Sequence, residues 1–237
     1  MLEAMTFTVA SYNIHKCAGL DRRVNLDRIA EVLQEIDADL VGIQEVFNPQ
    51  AHALAERLGL QLVMAPTRER DGFAYGNAVL TRLVIRGQHT FDLSQPAREP
   101  RGGIRLDLEM PQGQGGLLHL FNVHFGLKIR ERASQVRTLV REHILRDELT
   151  GPRVVVGDLN EWFWFPGAVA RALRRELRAP RIRRTHPSPL PLFPLDRIYW
   201  DRGLAADGFR VHRSRLARVA SDHLPVVARL RPVPVRA

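Results

Sequence analysis

Apolar runs rich in β-branched residues alternate with stretches of helical periodicity in the first quarter of the chain. Residues 6–14 read TFTVASYNI and predict a strand that ends in a polar tip. Asn25 can cap the helix that follows, whose apolar face repeats at Leu26, Ile29, Leu33 and Ile36. A second strand, LVGIQEV, is predicted at residues 40–46, and a further helix is expected between Pro49 and Gly59.

The middle of the chain is made of short strand-like runs. They read LQLVMA, NAVLTRL, HTFDL, IRLDLEM and LLHLFNVHF. The last two flank PQGQGG at residues 111–116, where the glycine-rich sequence predicts the turn of a hairpin. We therefore expect the centre of the chain to consist mainly of strands.

The last part of the chain returns to alternating elements. A long amphipathic helix is predicted over residues 129–149, followed by the strand RVVVGDL and a short arginine-rich helix over residues 169–177. Residues 180–194 read PRIRRTHPSPLPLFP and contain too many prolines for regular structure, so they predict a surface loop. The strands DRIYW, FRVHR and LPVVARL close the chain. Since no linker or repeat divides the sequence, we expect one domain spanning residues 1–237.

Length and composition place the chain among globular proteins. Its 237 residues are 45% hydrophobic, which is enough for one substantial core. The first residues, MLEAMTF, do not resemble a secretory signal, and no apolar run approaches the roughly 18 residues that a membrane span requires. Cys17 is the only cysteine, so no internal disulfide can form. These features predict a soluble, cytoplasmic protein with no transmembrane segment and no obligate protein partner.

The net charge of +9 has two explanations that the sequence leaves open. Basic side chains neutralise phosphates, which favours a polyanionic partner such as nucleic acid. However, Lys16 and Lys128 are the only lysines among 35 basic residues, and a chain so rich in arginine can also reflect coding bias.

Polar side chains follow four of the predicted apolar strands. They are Asn13 in SYN, Glu45 in IQE, His124 in NVH, and Asp158 with Asn160 in GDLN. Each alone is more typical of a solvated turn than of a functional site. Because open sheets gather their strand ends at one edge, the set as a whole predicts a shared site. Carboxylate and amide oxygens without thiolates favour a hard cation such as Mg²⁺, with Mn²⁺ as a possible substitute.

Two further segments add an imidazole with a supporting carboxylate. Asp222 and His223 stand immediately before the strand LPVVARL, and Asp196 begins the strand DRIYW. A carboxylate beside an imidazole can orient the ring and stabilise its charge, as acid–base catalysis commonly requires. The pair contributes to the predicted site only in company with the strand tips.

Taken in order, the segments SYNIHKC, IQEV, GNAVLTR, NVHFG, VVVGDLNEW, LDRIYW and SDHLPV resemble the endonuclease/exonuclease/phosphatase superfamily, which includes deoxyribonuclease I, sphingomyelinases and inositol-polyphosphate phosphatases. The resemblance spans residues 8–228. It implies an α/β fold, a four-layer α/β/β/α sandwich of two packed mixed β-sheets flanked by helices. It also implies a metal-dependent hydrolase of phosphoric esters that cleaves its substrate by in-line attack of water.

The resemblance also implies roles for individual residues. Glu45 is expected to be the principal metal ligand, with Asn13 and Asp222 assisting, and Asn13 also close to the substrate phosphate. Asp158 is expected to align or deprotonate the attacking water, and Asn160 to contact the scissile phosphate.

The histidines complete the set that the resemblance implies. His223, supported by Asp196, is expected to contact the phosphate or to transfer a proton, and His124 to donate a proton to the leaving group. Apart from the resemblance, Arg101 in EPRGGI is a candidate clamp for phosphate oxygens, although a surface charge explains it equally well. His15 and His186 are the other histidines expected near the site.

The substrate is less constrained than the reaction. The histidine of NVHFG argues against the branch of apurinic endonucleases, and the basic charge favours a nuclease-like activity. A phospholipid or inositol-phosphate phosphodiesterase or phosphatase is the alternative within the enzyme class. An inactive module that binds phosphate or nucleic acid in the same cleft is the alternative outside it.

Overall fold

Two β-sheets dominate the computed structural model, which describes residues 6–110, 116–163 and 167–233. The strands are β1 (Phe7–Asn13), β2 (Leu40–Phe47), β3 (Gln61–Arg70), β4 (Phe73–Thr81), β5 (Ile85–Asp92), β6 (Gly102–Glu109), β7 (Leu117–His124), β8 (Arg153–Asp158), β9 (Asp196–Trp200), β10 (Leu204–Val211) and β11 (Val226–Pro232). A six-stranded sheet has the order β10-β11-β1-β2-β4-β3, and a five-stranded sheet the order β5-β6-β7-β8-β9. One parallel pair in each sheet, β1 with β2 and β7 with β8, makes both sheets mixed.

The strand predictions for the middle of the chain are confirmed, although several strands are longer than predicted. β6 and β7 pair antiparallel as the predicted hairpin, while most of its turn, residues 111–115, lies outside the described residues. β3 and β4 also form a hairpin, which extends beyond the runs LQLVMA and NAVLTRL through Arg70 paired with Phe73. The part of the extension that belongs to β3 reads PTRER and is polar, and therefore the apolar pattern did not reveal the longer hairpin.

The four predicted helices lie at the predicted places, with one correction to a length, and a short fifth helix was not predicted. They are α1 (Leu26–Ile36), α2 (Asn48–Leu58), α3 (Ile129–Thr138), α4 (Ala168–Glu176) and α5 (Ala217–Ala220). The predicted helix over residues 129–149 is too long, because α3 passes into a π-helical segment at Leu139–Ile144 and ends there. Leu139 and Ile144 are five residues apart and both buried, a spacing that the i to i+5 hydrogen bonding of a π-helix accommodates.

Three apolar cores separate the four layers. The central core lies between the sheets and includes Val9, Leu106, Leu120 and Val156. A second core packs α1 and α2 on the six-stranded sheet, and a third packs α3 and α4 on the five-stranded sheet. Successive residues of a strand face opposite sides, so Val9 enters the central core while Ala10 enters the second core. The predicted α/β/β/α sandwich is confirmed.

The proline-rich segment over residues 180–194 is only partly a surface loop. Thr185 and Ser188 are fully buried, because the segment folds back on itself and onto the residues before β11. The backbone N–H of Thr185 donates to the carbonyl of Phe193 (2.8 Å), and the Ser188 hydroxyl donates to the carbonyl of Ser221 (2.6 Å). In the part of the chain that the structure describes, every helix is too short or too polar to cross a membrane.

Candidate active site

Strand register places three of the predicted site residues side by side. In the five-stranded sheet His124 of β7 pairs with Asp158 of β8, and Asp158 pairs with Asp196 of β9. In the other sheet Asn13 lies at the end of β1, beside the parallel β2 that carries Glu45. Because the two sheets pack face to face, the two sets of strand ends meet at one edge of the sandwich.

Asn13 connects the two sheets. Its side-chain Nδ2 donates to Oε1 of Glu45 (3.1 Å) and to Oδ2 of Asp158 (3.1 Å), while its Oδ1 accepts from the backbone N–H of His15 (3.0 Å). The carboxylates of Glu45 and Asp158, 113 positions apart in the sequence, are therefore held on either side of one amide. In this orientation Asn13 offers its donor group to the carboxylates, so its oxygen would reach a cation there only if the amide were flipped.

Glu45 sits at an irregularity of β2 with a left-handed backbone conformation, φ 56°. Such a conformation is unusual for a non-glycine residue and is often found where a side chain is aimed for function. Its Oε2 accepts from the hydroxyl of Tyr75 (3.1 Å) and lies 3.7 Å from Nζ of Lys16. Burial opposes ionisation of Glu45, but His124, the Asn13 amide and Lys16 together lower its pKa to about 2. Glu45 is therefore an ionised oxygen donor at neutral pH.

Asp158 and Asn160 form a tight turn after β8. Oδ1 of Asp158 accepts from the backbone N–H of Asn160 (2.9 Å), and Asn160 adopts a left-handed φ of 49° that asparagine tolerates well. The Asn160 amide donates to the carbonyl of Phe125 (2.9 Å) and lies 3.3 Å from Nε2 of His124. Both side chains are buried, so the turn holds them rigidly in the site.

His223 and Asp196 form a buried pair. Nδ1 of His223 lies 2.9 Å from Oδ2 of Asp196, and its Nε2 lies 3.8 Å from Oδ2 of Asp158. Burial disfavours the charged ring, but the carboxylates of Asp196 and Asp158 outweigh it and raise the pKa of His223 to about 10. The imidazole is therefore a cation at neutral pH, with its Nε2–H directed into the site.

His124 has the opposite electrostatic environment. Nη1 of Arg101 lies 3.0 Å from Nδ1 of His124, and Nη2 of the same guanidinium donates to Oε2 of Glu99 (2.8 Å). Burial, followed by the positive charge of Arg101, lowers the pKa of His124 to about 4. The ring is neutral at neutral pH. Arg101 is buried, so the sequence-based alternative of a surface charge is wrong.

Asp222 lies at the more open side of the site, with 34% of its side chain exposed. Its Oδ1 is 3.6 Å from Nδ1 of His15 and its Oδ2 is 3.8 Å from Nε2 of His186, so both histidines flagged in the sequence border the site. Burial opposes ionisation, but the hydrogen bond from His186 and the surrounding histidines hold the pKa of Asp222 well below its usual value.

Two groups of three side chains among the described residues have the spacing of metal ligands. They are His186 with Asp222 and His223, and Asp158 with Asp196 and His223. Glu45, the expected principal ligand, belongs to neither group. Asn13 lies between Glu45 and Asp158. On the Glu45 side, the ionised carboxylate of Glu45 is itself the main oxygen ligand for a cation.

Four residues at the site were not anticipated from the sequence. Tyr75 and Lys16 contact Glu45, Thr185 accepts from the backbone N–H of Asp196 (3.3 Å), and Ser221 donates to the carbonyl of Asn13 (2.8 Å). Of these, Ser221 adjoins Asp222 and His223, and Lys16 lies within the segment SYNIHKC, so both carried a signal in the sequence. Tyr75 lies inside the extended part of β4, so no strand-end pattern could single it out.

A cavity of ≈ 420 Å³ opens beside Arg101, between the β3–β4 hairpin and β5. Thr67, Thr90, Asp92 and Ser94 contribute polar side chains to its walls. Because Arg101 lines the cavity and contacts His124, the cavity lies on the His124 side of the site.

The Endonuclease/Exonuclease/phosphatase family model matches residues 10–223 of the chain. No curated protein has a significantly similar sequence. Among solved structures, an endonuclease/exonuclease/phosphatase family protein from Bacteroides thetaiotaomicron superposes with a TM-score of 0.82 at 21% identity, over 97% of this chain and 99% of its own.

Two other solved structures are similar to the same extent. The human nocturnin catalytic domain with a bound sulfate anion gives a TM-score of 0.80 at 19% identity, over 98% of this chain and 95% of its own. A mannosyl-6-phosphatase from Bacteroides thetaiotaomicron VPI-5482 gives 0.80 at 22% identity, over 94% and 99%. At these identities the likeness shows a shared fold.

Proposed function

The chain belongs to the endonuclease/exonuclease/phosphatase family, and on this premise we propose that it is a Mg²⁺-dependent, nuclease-like hydrolase of phosphodiester bonds. The observation that carries the proposal is the Asn13 amide, whose Nδ2 lies 3.1 Å from both Glu45 and Asp158. Asn13 thereby holds Glu45, which would bind the cation, close to Asp158. Asp158 in turn faces the cationic imidazole of His223. Hydrolysis of a phosphoester requires such a pairing of metal site and water site.

The cation site that we propose is centred on Glu45, with Asp222 assisting directly or through water. Asn13 would add its oxygen only with the amide flipped from the orientation that donates to Glu45. The donor chemistry fits Mg²⁺ or Mn²⁺, because these cations favour one or two carboxylates together with waters and phosphate oxygens. Lys16 lies 3.7 Å from Oε2 of Glu45, which shows that this oxygen is accessible to a positive charge. When bound, the cation would neutralise charge on the phosphate oxygens as the reaction proceeds.

Asp158 is proposed to hold the attacking water. Its Oδ1 is occupied by the backbone N–H of Asn160, which leaves Oδ2 facing Asn13 and His223 at 3.1 Å and 3.8 Å. Oδ2 can therefore accept a proton from a water placed in line with the scissile bond. Asn160, fixed by the Phe125 carbonyl, would contact the phosphate.

The two histidines are proposed to act in different protonation states. Cationic His223, held by Asp196, would donate Nε2–H to a non-bridging phosphate oxygen. Nη1 of Arg101 lies 3.0 Å from Nδ1 and 3.2 Å from Nε2 of neutral His124. In the tautomer that carries its hydrogen on Nε2, the ring would donate a hydrogen bond to the leaving oxygen. Arg101 would add positive charge near that oxygen.

The choice of a phosphodiester is supported by charge. The chain carries a net charge of +9, which favours a polyanionic substrate. The similar structures include a mannosyl-6-phosphatase, so phosphomonoesters are the second class to test.

Turnover of bis-p-nitrophenyl phosphate and p-nitrophenyl phosphate tests the proposal. We expect hydrolysis of the diester with Mg²⁺ or Mn²⁺ and its loss in EDTA. A panel of plasmid DNA, single-stranded RNA, sphingomyelin, inositol phosphates and sugar phosphates then ranks the natural classes. If no compound is turned over with either metal, the proposal is wrong and an inactive binding module is favoured.

A further inference from the structure

Residues 178–184 lie along β9, the outermost strand of the five-stranded sheet. At one end the backbone N–H of Arg178 donates to the carbonyl of Trp200 (2.6 Å), and the N–H of Trp200 donates back to Arg178 (2.9 Å). At the other end the hydroxyl of Thr185 accepts from the N–H of Asp196 (3.3 Å). The segment is therefore fixed at both ends of the strand and follows the edge of the sheet.

This segment and the preceding α4 carry an unusual concentration of positive charge. Residues 171–184 contain seven arginines and one glutamate, and all seven arginines are exposed. Arg178, Arg181 and Arg183 form no ion pair with any residue that the structure describes. Among the acidic side chains nearby, Asp201 pairs with Arg153 and Asp207 with Arg231.

Some arginines elsewhere in the described chain do form ion pairs. Arg57 pairs with Asp27, Arg82 with Asp37, and Arg86 with Glu109. A bias toward arginine in the composition accounts for the number of arginines but not for the presence of seven of them within residues 171–184. The concentration of positive charge is therefore a local property of α4 and the edge of β9.

The segment leads to the proposed active site. Asp196, at its far end, holds His223, and His186 follows directly after Thr185 and contacts Asp222. Arg181 and Arg183 line a groove that reaches Asp196, and Arg178 lines a second groove over Trp200 and Ala205. Unpaired arginines thus border one side of the protein from Trp200 to the catalytic carboxylates.

We propose that Arg178, Arg181 and Arg183, here named the arginine track, bind the sugar–phosphate backbone of a nucleic acid whose scissile phosphate lies in the active site. The inference rests on the proposed phosphodiesterase function and specifies its substrate. The two ends of the segment bond to Trp200 and Asp196, and β9 between these residues spans roughly 13 Å, about four nucleotides at a rise of ~3.4 Å. A small phosphate ester cannot span that length.

Arginine suits this ligand because its planar guanidinium binds two phosphate oxygens at once. A membrane surface fits the track less well, since Ala179, Pro180 and Ile182 between the arginines are half-buried and offer no exposed apolar side chain for insertion. Because the backbone contacts would be electrostatic, the affinity must fall as the salt concentration rises.

The binding test uses fluorescence anisotropy in EDTA, with labelled twelve-nucleotide oligothymidylate and oligouridylate titrated at several salt concentrations. The track variant carries Arg178→Gln, Arg181→Gln and Arg183→Gln, and the control carries Arg57→Gln, Arg82→Gln and Arg86→Gln, which remove the same charge. We expect the track variant to raise Kd about tenfold or more and to reduce the salt slope by about two. The Kd of the control variant should stay within about twofold of the wild-type value.

The DNA and RNA probes show which backbone the track prefers, and either preference supports the proposal. Equal losses in the two triple variants would reduce the effect to net charge and overturn it, as would stronger binding of the wild type to phosphatidylserine vesicles than to either oligonucleotide. If the melting temperature of the track variant is lower than that of the wild type, the single variant Arg181→Glu replaces it, with Arg86→Glu as the control.

Turnover separates this inference from the proposed function. With Mg²⁺, the wild-type protein should cleave the twelve-nucleotide strand with a kcat/KM at least tenfold above that of a three-nucleotide strand, and the track variant should lose most of that ratio. Failure of the proposed function would appear as no hydrolysis of bis-p-nitrophenyl phosphate while the difference in binding persists. Failure of the track would appear as normal hydrolysis with no dependence on length or on the three arginines.

Discussion

Nη1 of Arg101 lies 3.0 Å from Nδ1 of His124, and both side chains are buried at the edge where the two sheets meet. On the other side of Asp158, His223 lies 2.9 Å from a carboxylate of Asp196. The site therefore holds two imidazoles with opposite partners, one beside a cation and one beside an anion. This asymmetry assigns them different protonation states and makes several predictions.

Replacing Arg101 by glutamine should raise the pKa of His124 from about 4 toward its ordinary value. Burial would still disfavour the charged ring, but the adjacent positive charge would be gone. Titration of the histidine signals by NMR measures the shift. The exposed Arg86, replaced by glutamine, serves as the control and should leave the titration unchanged. An unaltered pKa in Arg101→Gln would show that the contact does not govern the charge of His124.

Replacing Asp158 by asparagine should lower kcat for bis-p-nitrophenyl phosphate by about 10³-fold, because the proposed acceptor of the water proton is lost. The matched control is Asp201→Asn. Asp201 lies at the opposite end of β8 and β9, where it accepts from the backbone N–H of Arg153 (2.9 Å). Wild-type kcat is expected for the control. Activity of Asp158→Asn within tenfold of the wild type would remove Asp158 from the mechanism.

Replacing Glu45 by glutamine should raise the Mg²⁺ concentration needed for half-maximal activity by about tenfold or more, because the amide is a weaker ligand than the carboxylate. Activity as a function of Mg²⁺ concentration measures the effect. Glu31→Gln, at an exposed position of α1, is the control. If Glu45→Gln and the wild type have the same metal titration, the cation does not bind at Glu45.

The sequence could predict the strand ends of the site because each one interrupts an apolar run. Asn13, His124 and Asp158 are polar residues at the ends of buried strands, and strand ends on one edge of a sheet approach one another whatever the details of the loops. The layers could be predicted for the same reason, since helical and strand periodicities alternate clearly on either side of Asn25.

Arg101 and Tyr75 could not be predicted in this way. Arg101 is one of many arginines, and its burial depends on β6 starting directly beside the end of β7. Tyr75 reaches Glu45 only because the β3–β4 hairpin continues beyond the runs LQLVMA and NAVLTRL. Contacts between distant segments decided both positions, and local patterns do not contain that information.

Replacing Asp196 by asparagine should destabilise the protein more at pH 6 than at pH 9.5. The pKa of His223 is raised in the folded protein, to about 10 from an ordinary value of 6.5. Charged His223 therefore contributes stability that is fully present below pH 6.5 and is lost as the pH rises toward 10. Without the Asp196 carboxylate most of this contribution disappears. The loss in free energy of unfolding, relative to the wild type, should therefore be larger at pH 6 than at pH 9.5 by on the order of 2 kcal/mol. Urea unfolding of both proteins at the two pH values measures the difference.

Asp201→Asn is again the control, because its partner Arg153 stays charged throughout this range and its destabilisation should not depend on pH. An equal loss of unfolding free energy in Asp196→Asn at both pH values would mean that His223 is not held as a cation. The proposed role of His223 as a donor to the phosphate would then be wrong.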